Sequence, residues 1–182
     1  MTTFQQQLIQ AFKTLKQAKW INLSHQIDAN SPHFPALPAL EQKDLFTLKD
    51  GFHVQQLSVV TQYGTHIDPP CHFVEGGRFL DELELKDLLL PLYVIDCSKK
   101  VAENPNYELT KEDVVAFEEE YGKIESGAFV AFRSDWSHRW PSQDAILNLD
   151  ENGVQQTPGW SKEALEFLIH ERHVKAVGHE TL

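Results

Sequence analysis

The chain has 182 residues, 41% of them hydrophobic and 24% charged, which predicts one globular domain spanning residues 1–182 and burying about 70% of its unfolded surface. Lys and Arg number 16 against 27 Asp and Glu, a net charge of −11 with histidines neutral. That balance argues against nucleic acid or an anionic membrane as partner, since both want a basic patch. Two cysteines, Cys71 and Cys97, are too few for a disulfide framework or a thiolate zinc site, and they read as free thiols of a reducing compartment. No run of about 20 apolar residues suggests a membrane span. Glutamines and lysines interrupt any apolar signal core at the N-terminus, so the expected location is the cytoplasm.

In chain order, Phe4, Leu8, Ile9, Ala11, Phe12 and Leu15 recur at three- and four-residue spacing, which predicts an amphipathic helix over 4–18. Trp20 to Leu23 reads as a short strand. Pro32, Pro35 and Pro38 make the stretch from Ser24 to Leu40 a loop. Residues 54–62 resemble a strand, Gly76-Gly77 mark a turn, and 80–90 suit a short helix. The run Leu92 to Cys97 is apolar and short, as a buried strand requires. Thr110 with Asp113 offers a capping box for a helix over 111–121, ended by Gly122. Ala128 to Phe132 forms a second buried-strand candidate. Residues 137–160 read as a long loop, Ser161 to Arg172 as a helix, and Val174 to Val177 as a last strand. Strands mixed with helices, and no repeat or linker, predict a single α/β domain with a central mixed sheet and flanking helices.

One segment concentrates the chemistry. Residues 62–73 read Gln-Tyr-Gly-Thr-His-Ile-Asp-Pro-Pro-Cys-His-Phe. Pro69 and Pro70 lack N–H groups, and Pro70 pushes Pro69 toward an extended conformation, so a helix is disfavoured there. In an extended chain His66 and Asp68 share a face, roughly 7 Å apart at the backbone. Neutral imidazole with carboxylate is a donor set for zinc or manganese. His72 lies past the prolines, where the chain has turned, and suits an acid or base because imidazole titrates nearer neutrality than other unperturbed side chains. Cys71 beside a proline reads as a small buried thiol. A Cys71–His72 nucleophile pair is disfavoured, because adjacent side chains of an extended segment face opposite ways.

The segment resembles the signature of the cyclase family of metal-dependent hydrolases, His-x-Gly-Thr-His-x-Asp-x-Pro-x-His-Phe, a family that includes kynurenine formamidases and isatin hydrolases. Gly64, Thr65, His66, Asp68, Pro70, His72 and Phe73 stand at the matching places. Leu23-Ser24-His25 with Pro32 and Pro35 resembles the family's upstream loop, and Gly178 to Thr181 a downstream segment. The resemblance implies a swivelling-type α/β domain, a homodimer, and a divalent cation held by His66 and Asp68. It also implies His72 as acid or base, and a metal-activated water attacking a small amide or formamide. By the same resemblance His25 would line the substrate pocket. Asp135-Trp136 and Trp140 follow a buried strand, a common place for a pocket wall. His179 and Glu180 read as hydrogen-bonding residues at a strand end near the pocket or as replacement ligands.

Two departures from the pattern shape the expectation. Gln62 stands where the family has its first histidine. Its carboxamide oxygen either joins the metal or orients a bound water, and an extended chain would leave Gln62 about 13 Å from His66 unless the backbone turns at Gly64. Relatives also continue beyond the place matching Leu182, so the domain is expected to be incomplete at its C-terminus. A non-catalytic or weakly metal-binding form of the same scaffold is the alternative reading.

Overall fold

The computed structural model describes residues 3–182. Helix α1 spans Phe4–Gln17, with the Thr3 hydroxyl accepting from the Gln6 amide and the Gln6 side chain returning the bond. That reciprocal cap satisfies two otherwise orphaned donors at the helix start. An antiparallel hairpin follows, β1 (Glu41–Phe46) with β2 (Val54–Ser58). Trp20 to Leu23, expected as a strand, is irregular instead. The strand lies further on, at β1, whose mostly polar sequence has no apolar alternation to mark it.

The core lies in the second half of the chain. Strand β3 (Leu92–Asp96), β5 (Phe129–Arg133) and β7 (Ala176–Gly178) form a parallel sheet in the order β3-β5-β7. Antiparallel strands occur in the separate β1–β2 hairpin, and a single antiparallel bridge joins Leu149 to Gln155. Helix α2 (Ser98–Glu103) follows β3, and α3 (Lys111–Tyr121) and α5 (Lys162–Glu171) precede β5 and β7. Two-residue strands β4 (Glu108–Leu109) and β6 (Gly159–Trp160) pair in parallel. A short helix, α4 (Gln143–Leu147), interrupts the stretch expected as loop. Val130 and Phe132 of the central strand are buried with Val114 of α3 and Leu168 of α5. Apolar side chains on β5 and the two helix faces therefore share one core.

The predicted cap of α3 is present, and it does more than start the helix. The Asp113 carboxylate accepts from the Thr110 amide, the Tyr107 hydroxyl and the Lys100 ammonium. Burial pushes the Asp113 carboxyl up, but these donors outweigh it and hold it below its ordinary 3.8. Nearby Cys97 is buried and its thiol is pushed up to about 12, by burial first and then by the Asp113 charge. Such a thiol is inert as a nucleophile at neutral pH.

A largely buried ion pair ties α3 to the end of α5. Arg172 donates to both Glu118 oxygens at 2.6 and 2.8 Å, with 14% and 10% of the two side chains exposed. The Arg172 bonds hold the Glu118 carboxyl below its ordinary 4.5 against the opposing effect of burial. Folded Asp113 and Glu118 therefore bind protons less readily than their unfolded counterparts. Their stabilisation is full above the unfolded values of 4.5 and 3.8 and is lost as pH falls through the lower folded values. Arg172→Ala is expected to cost about 2 kcal/mol at pH 7, below the roughly 3–5 kcal/mol of fully buried pairs because solvent reaches both ends. Urea midpoints measured from pH 7 to pH 3 should fall less steeply in the variant than in the parent.

Candidate metal and acid–base site

Residues 62–73 leave β2 in an irregular path whose turns are set by glycine and proline. Gly64 has φ +63°, and a Cβ there would collide with the Ile27 side chain, so only glycine fits. The turn brings Gln62 back onto the segment's own later residues. Tyr63 is buried, its hydroxyl donating to the Asp28 carbonyl at 2.9 Å. Thr65 accepts from the His25 amide at 3.0 Å. These two contacts fasten the proline-rich loop to the site. Pro70 to His72 form a single 3-10 turn, with proline at its start where the missing N–H costs nothing. Gly77 packs against that turn so closely that a Cβ would meet the Pro70 and Cys71 backbone at 2.8 Å.

Asp68 is the point of convergence. Its Oδ1 lies 3.6 Å from His66 Nε2 and 3.9 Å from His72 Nε2, and it accepts from the Gln62 amide at 3.2 Å. His66 Nδ1 lies 2.8 Å from the Gly64 carbonyl, which can only accept. The ring proton is therefore on Nδ1, and Nε2 presents its lone pair toward Asp68. Two lone-pair donors 3.6 Å apart leave space for a cation about 2.1 Å from each, and a histidine fixed by a backbone carbonyl is the usual supporting arrangement at such sites. On this geometry His66 and Asp68 fit a divalent cation.

Gln62 and His72 are disposed differently. The Thr61 hydroxyl donates to Gln62 Oε1 at 2.6 Å, so the carboxamide nitrogen, which carries no lone pair for a metal, faces the site. That nitrogen also approaches His72 Nδ1 at 3.5 Å. With Nδ1 accepting, the His72 proton sits on Nε2, on the Asp68 side. Among the described residues no three His, Cys, Asp or Glu side chains close into a metal cluster. About a third of each of the His66, Asp68 and His72 side chains is exposed (29%, 38% and 33%), so the site opens to solvent.

The pocket residues expected from the sequence separate. His179, just past β7, keeps an exposed side chain, and the protein atoms around its ring, more than the charge of His66, push it below its ordinary 6.5, with Asp68 opposing. Its Nδ1 lies 2.7 Å from the Thr181 hydroxyl. Glu180 turns the other way, accepting from the backbone amides of Ser134 and Ser137 at 2.9 and 2.8 Å. It anchors the turn after β5. Trp136 is a correction: at 1% exposure it lies in the core, its indole N–H donating to the Ile146 carbonyl. The aromatic wall is Trp140, stacked on His25 with ring centres 4.4 Å apart and 8° between planes. A cleft of about 420 Å³ runs along this side, lined by Gln26, Asp28, Asn30, Ser31, Trp140 and Pro141. Asp96, Arg133 and Asp135, joined by ion pairs of 2.9 and 2.8 Å, mark the end of the parallel strands.

The family model described as putative cyclase matches residues 21–182. Isatin hydrolase of Roseibium aggregatum is 39% identical over 115 residues, 61% of this chain and 43% of that protein. Kynurenine formamidase of Geobacillus thermodenitrificans is 30% identical over 81 residues, 43% of this chain and 39% of that protein. Among solved structures, isatin hydrolase A from Labrenzia aggregata bound to benzyl benzoate superposes with a TM-score of 0.85 at 31% identity, covering 96% of this chain and 73% of that one. An isatin hydrolase bound to the product analogue thioisatinate gives 0.87 at 28% identity, covering 98% and 73%. The chain spans about two fifths of the length of the curated relatives it matches.

Proposed function

The chain belongs to the putative cyclase family, and from that premise we propose that it is a metal-dependent hydrolase of a small aryl amide, either a formamide or a cyclic amide of the isatin type. The observation that carries the reading is the lone pair of His66 Nε2 facing Asp68 Oδ1 at 3.6 Å, with the His72 ring on the same carboxylate. Similarity to an isatin hydrolase and to kynurenine formamidases supports the substrate class.

A zinc or manganese ion, when bound, supplies a Lewis acid and lowers the pKa of water from 15.7 to near 7. His66 and Asp68 would hold it. The remaining work falls to the chain's own groups. Water adds to the carbonyl carbon and the C–N bond breaks. His72 Nε2 gives its proton to the departing nitrogen and takes up the one the water released. Gln62 holds the His72 ring in that orientation through Nδ1. The stacked pair His25–Trp140 offers a flat face against which an aryl ring can lie.

A second reading, a scaffold that binds metal weakly and does not turn over, is favoured by one observation. The Gln62 amide already occupies Asp68 Oδ1, so a cation must compete with a bond the protein makes to itself. One experiment separates the two. Protein loaded with zinc or manganese is expected to hydrolyse isatin or an N-formyl arylamine, to lose activity to a chelator and to regain it with metal. Gln62→His, which replaces the competing amide by an imidazole donor, is expected to tighten metal binding roughly tenfold in calorimetry. Substoichiometric metal with no hydrolysis of these amides would leave only the second reading.

A further inference from the structure

We propose that Gln143 is a positioning residue for substrate binding: its carboxamide clamps the foot of the proline-rich loop to α4 and so fixes the width of the cleft between that loop and Trp140. The substrate part of the proposal rests on the hydrolase reading, while the clamp itself does not. The loop needs a clamp because burial does not hold it. From Ser24 to Asn30 no residue is buried, and the irregular stretch from Ser24 to Leu40 is longer than most loops of a compact domain. Its first buried residues are Ser31 and Pro32, which form the foot.

Side chains from other segments supply the grip. The Thr65 hydroxyl accepts from the His25 amide, and the Tyr63 hydroxyl reaches the Asp28 and Ser31 carbonyls at 2.9 and 3.3 Å. Gln143 differs in satisfying the whole backbone of one residue. Its Oε1 accepts from the His33 amide at 2.9 Å, and its Nε2 donates to the His33 carbonyl at 2.7 Å, across 110 positions of chain. A neighbouring strand would pair with His33 in the same way. Among uncharged side chains, only a carboxamide carries a donor and an acceptor side by side, as this pairing requires.

The clamp is referred to the core. Gln143 opens α4, whose Ile146 and Leu147 are buried and whose Ile146 carbonyl takes the Trp136 indole N–H. Trp140 stands three residues before Gln143. Its amide donates to the Ser137 carbonyl at 3.1 Å, and the Ser142 amide donates to the Arg139 carbonyl at 3.0 Å. One braced stretch, 139–143, therefore carries both a wall of the cleft and the clamp for the loop that faces it. The cleft of about 420 Å³ has Gln26 to Ser31 on its loop side and Trp140 and Pro141 on the other. Freed at His33, the loop is left to the Thr65 and Tyr63 bonds, and the His25–Trp140 stack is the contact that opens. An aryl ligand then meets an assembled wall in only a fraction of the molecules, and its apparent affinity falls by that fraction. His66, Asp68 and His72 lie on a separate segment, so turnover of bound substrate is expected to continue.

Gln143→Leu keeps the bulk of the side chain and removes both bonds, and it tests the proposal. In protein loaded with zinc or manganese, KM for isatin is expected to rise about tenfold while kcat stays within about twofold, the pattern of lost uniform binding. Two further readouts need neither metal nor turnover. The His33 amide should exchange with solvent roughly tenfold faster or more. In NMR the His25 ring protons, shifted in the parent by the indole face 4.4 Å away, should move toward their free-imidazole positions. Gln143→Glu keeps the acceptor and loses the donor, so it should fall between parent and Gln143→Leu in each readout. It also serves in place of Gln143→Leu if a urea transition shows that variant to be unfolded. Unchanged His33 exchange and His25 ring shifts overturn the clamp. A KM that stays at the parent value while those two change overturns its role in substrate binding, and so does a loss confined to kcat. A parent that neither binds nor cleaves isatin removes the hydrolase reading instead, and exchange and ring shifts then decide the clamp by themselves.

Discussion

Asp68→Asn is expected to lower kcat/KM for isatin or an N-formyl arylamine by about a thousandfold, close to 4 kcal/mol of transition-state stabilisation. The size follows from position. Asp68 Oδ1 is the one atom approached by His66 Nε2, His72 Nε2 and the Gln62 amide together. Asparagine keeps the shape but removes the negative charge and half of the acceptor capacity. A cation held as proposed would lose the one anionic ligand among the described residues that face it. His72 would lose the carboxylate beside the proton that the proposed reaction moves. Metal content should fall in parallel by elemental analysis. Stability should change little, because Asp68 is 38% exposed and no helix or strand depends on it. A variant within tenfold of the parent in kcat/KM, with its metal retained, would remove Asp68 from the mechanism.

The sequence carries this site because its chemistry is local. Two imidazoles and a carboxylate within seven residues, fenced by Gly64 and two prolines, can converge without help from distant elements. The turn at Gly64 was the condition for Gln62 to reach its neighbours, and a φ of +63° there meets it. What the sequence could not show is which atom of the carboxamide faces inward. The Thr61 hydroxyl decides that by donating to Oε1, and Thr61 has no feature that advertises the bond.

Strands and helices were legible to the extent that their pattern came from burial. FVAFR and the α3 and α5 segments are marked because they share the core, to which LYVID adds Ile95 and part of Tyr93 while Leu92 and Val94 stay exposed. Strand β1, EQKDLF, is two-thirds polar and buries nothing, so no periodicity betrays it. Helix α1 shows the converse. Its apolar stripe is plain in the sequence, yet no residue of the helix is buried. Periodicity reports that a face wants cover and is silent about what supplies it. Similarly, Trp136 and Trp140 both follow a buried strand. The left-handed turn at Asp135, φ +58°, and the pull of Glu180 on Ser134 and Ser137 send the first inward and leave the second beside His25.

That sorting makes Trp136→Ala the most damaging single change expected for stability, at about 3–5 kcal/mol. The ring is 1% exposed within the core, its N–H satisfies the Ile146 carbonyl at 3.0 Å, and the Arg139 guanidinium lies 3.5 Å from the ring centre. Truncation opens a cavity, strands a buried carbonyl and strips the guanidinium of its stacking partner. Trp136→Phe keeps most of the volume but still orphans the Ile146 carbonyl, so about 1–3 kcal/mol is expected from that bond and the altered packing. Trp140→Ala should move the urea midpoint far less, because its ring is partly exposed and packs on a loop histidine rather than in the core. Its effect should fall on KM for an aryl substrate. If Trp136→Ala cost less than 1 kcal/mol in urea unfolding, the turn after β5 would not be fixed by this ring. The separation of core tryptophan from pocket tryptophan would then fail, and with it the placement of His25 and Trp140 as the flat wall of the site.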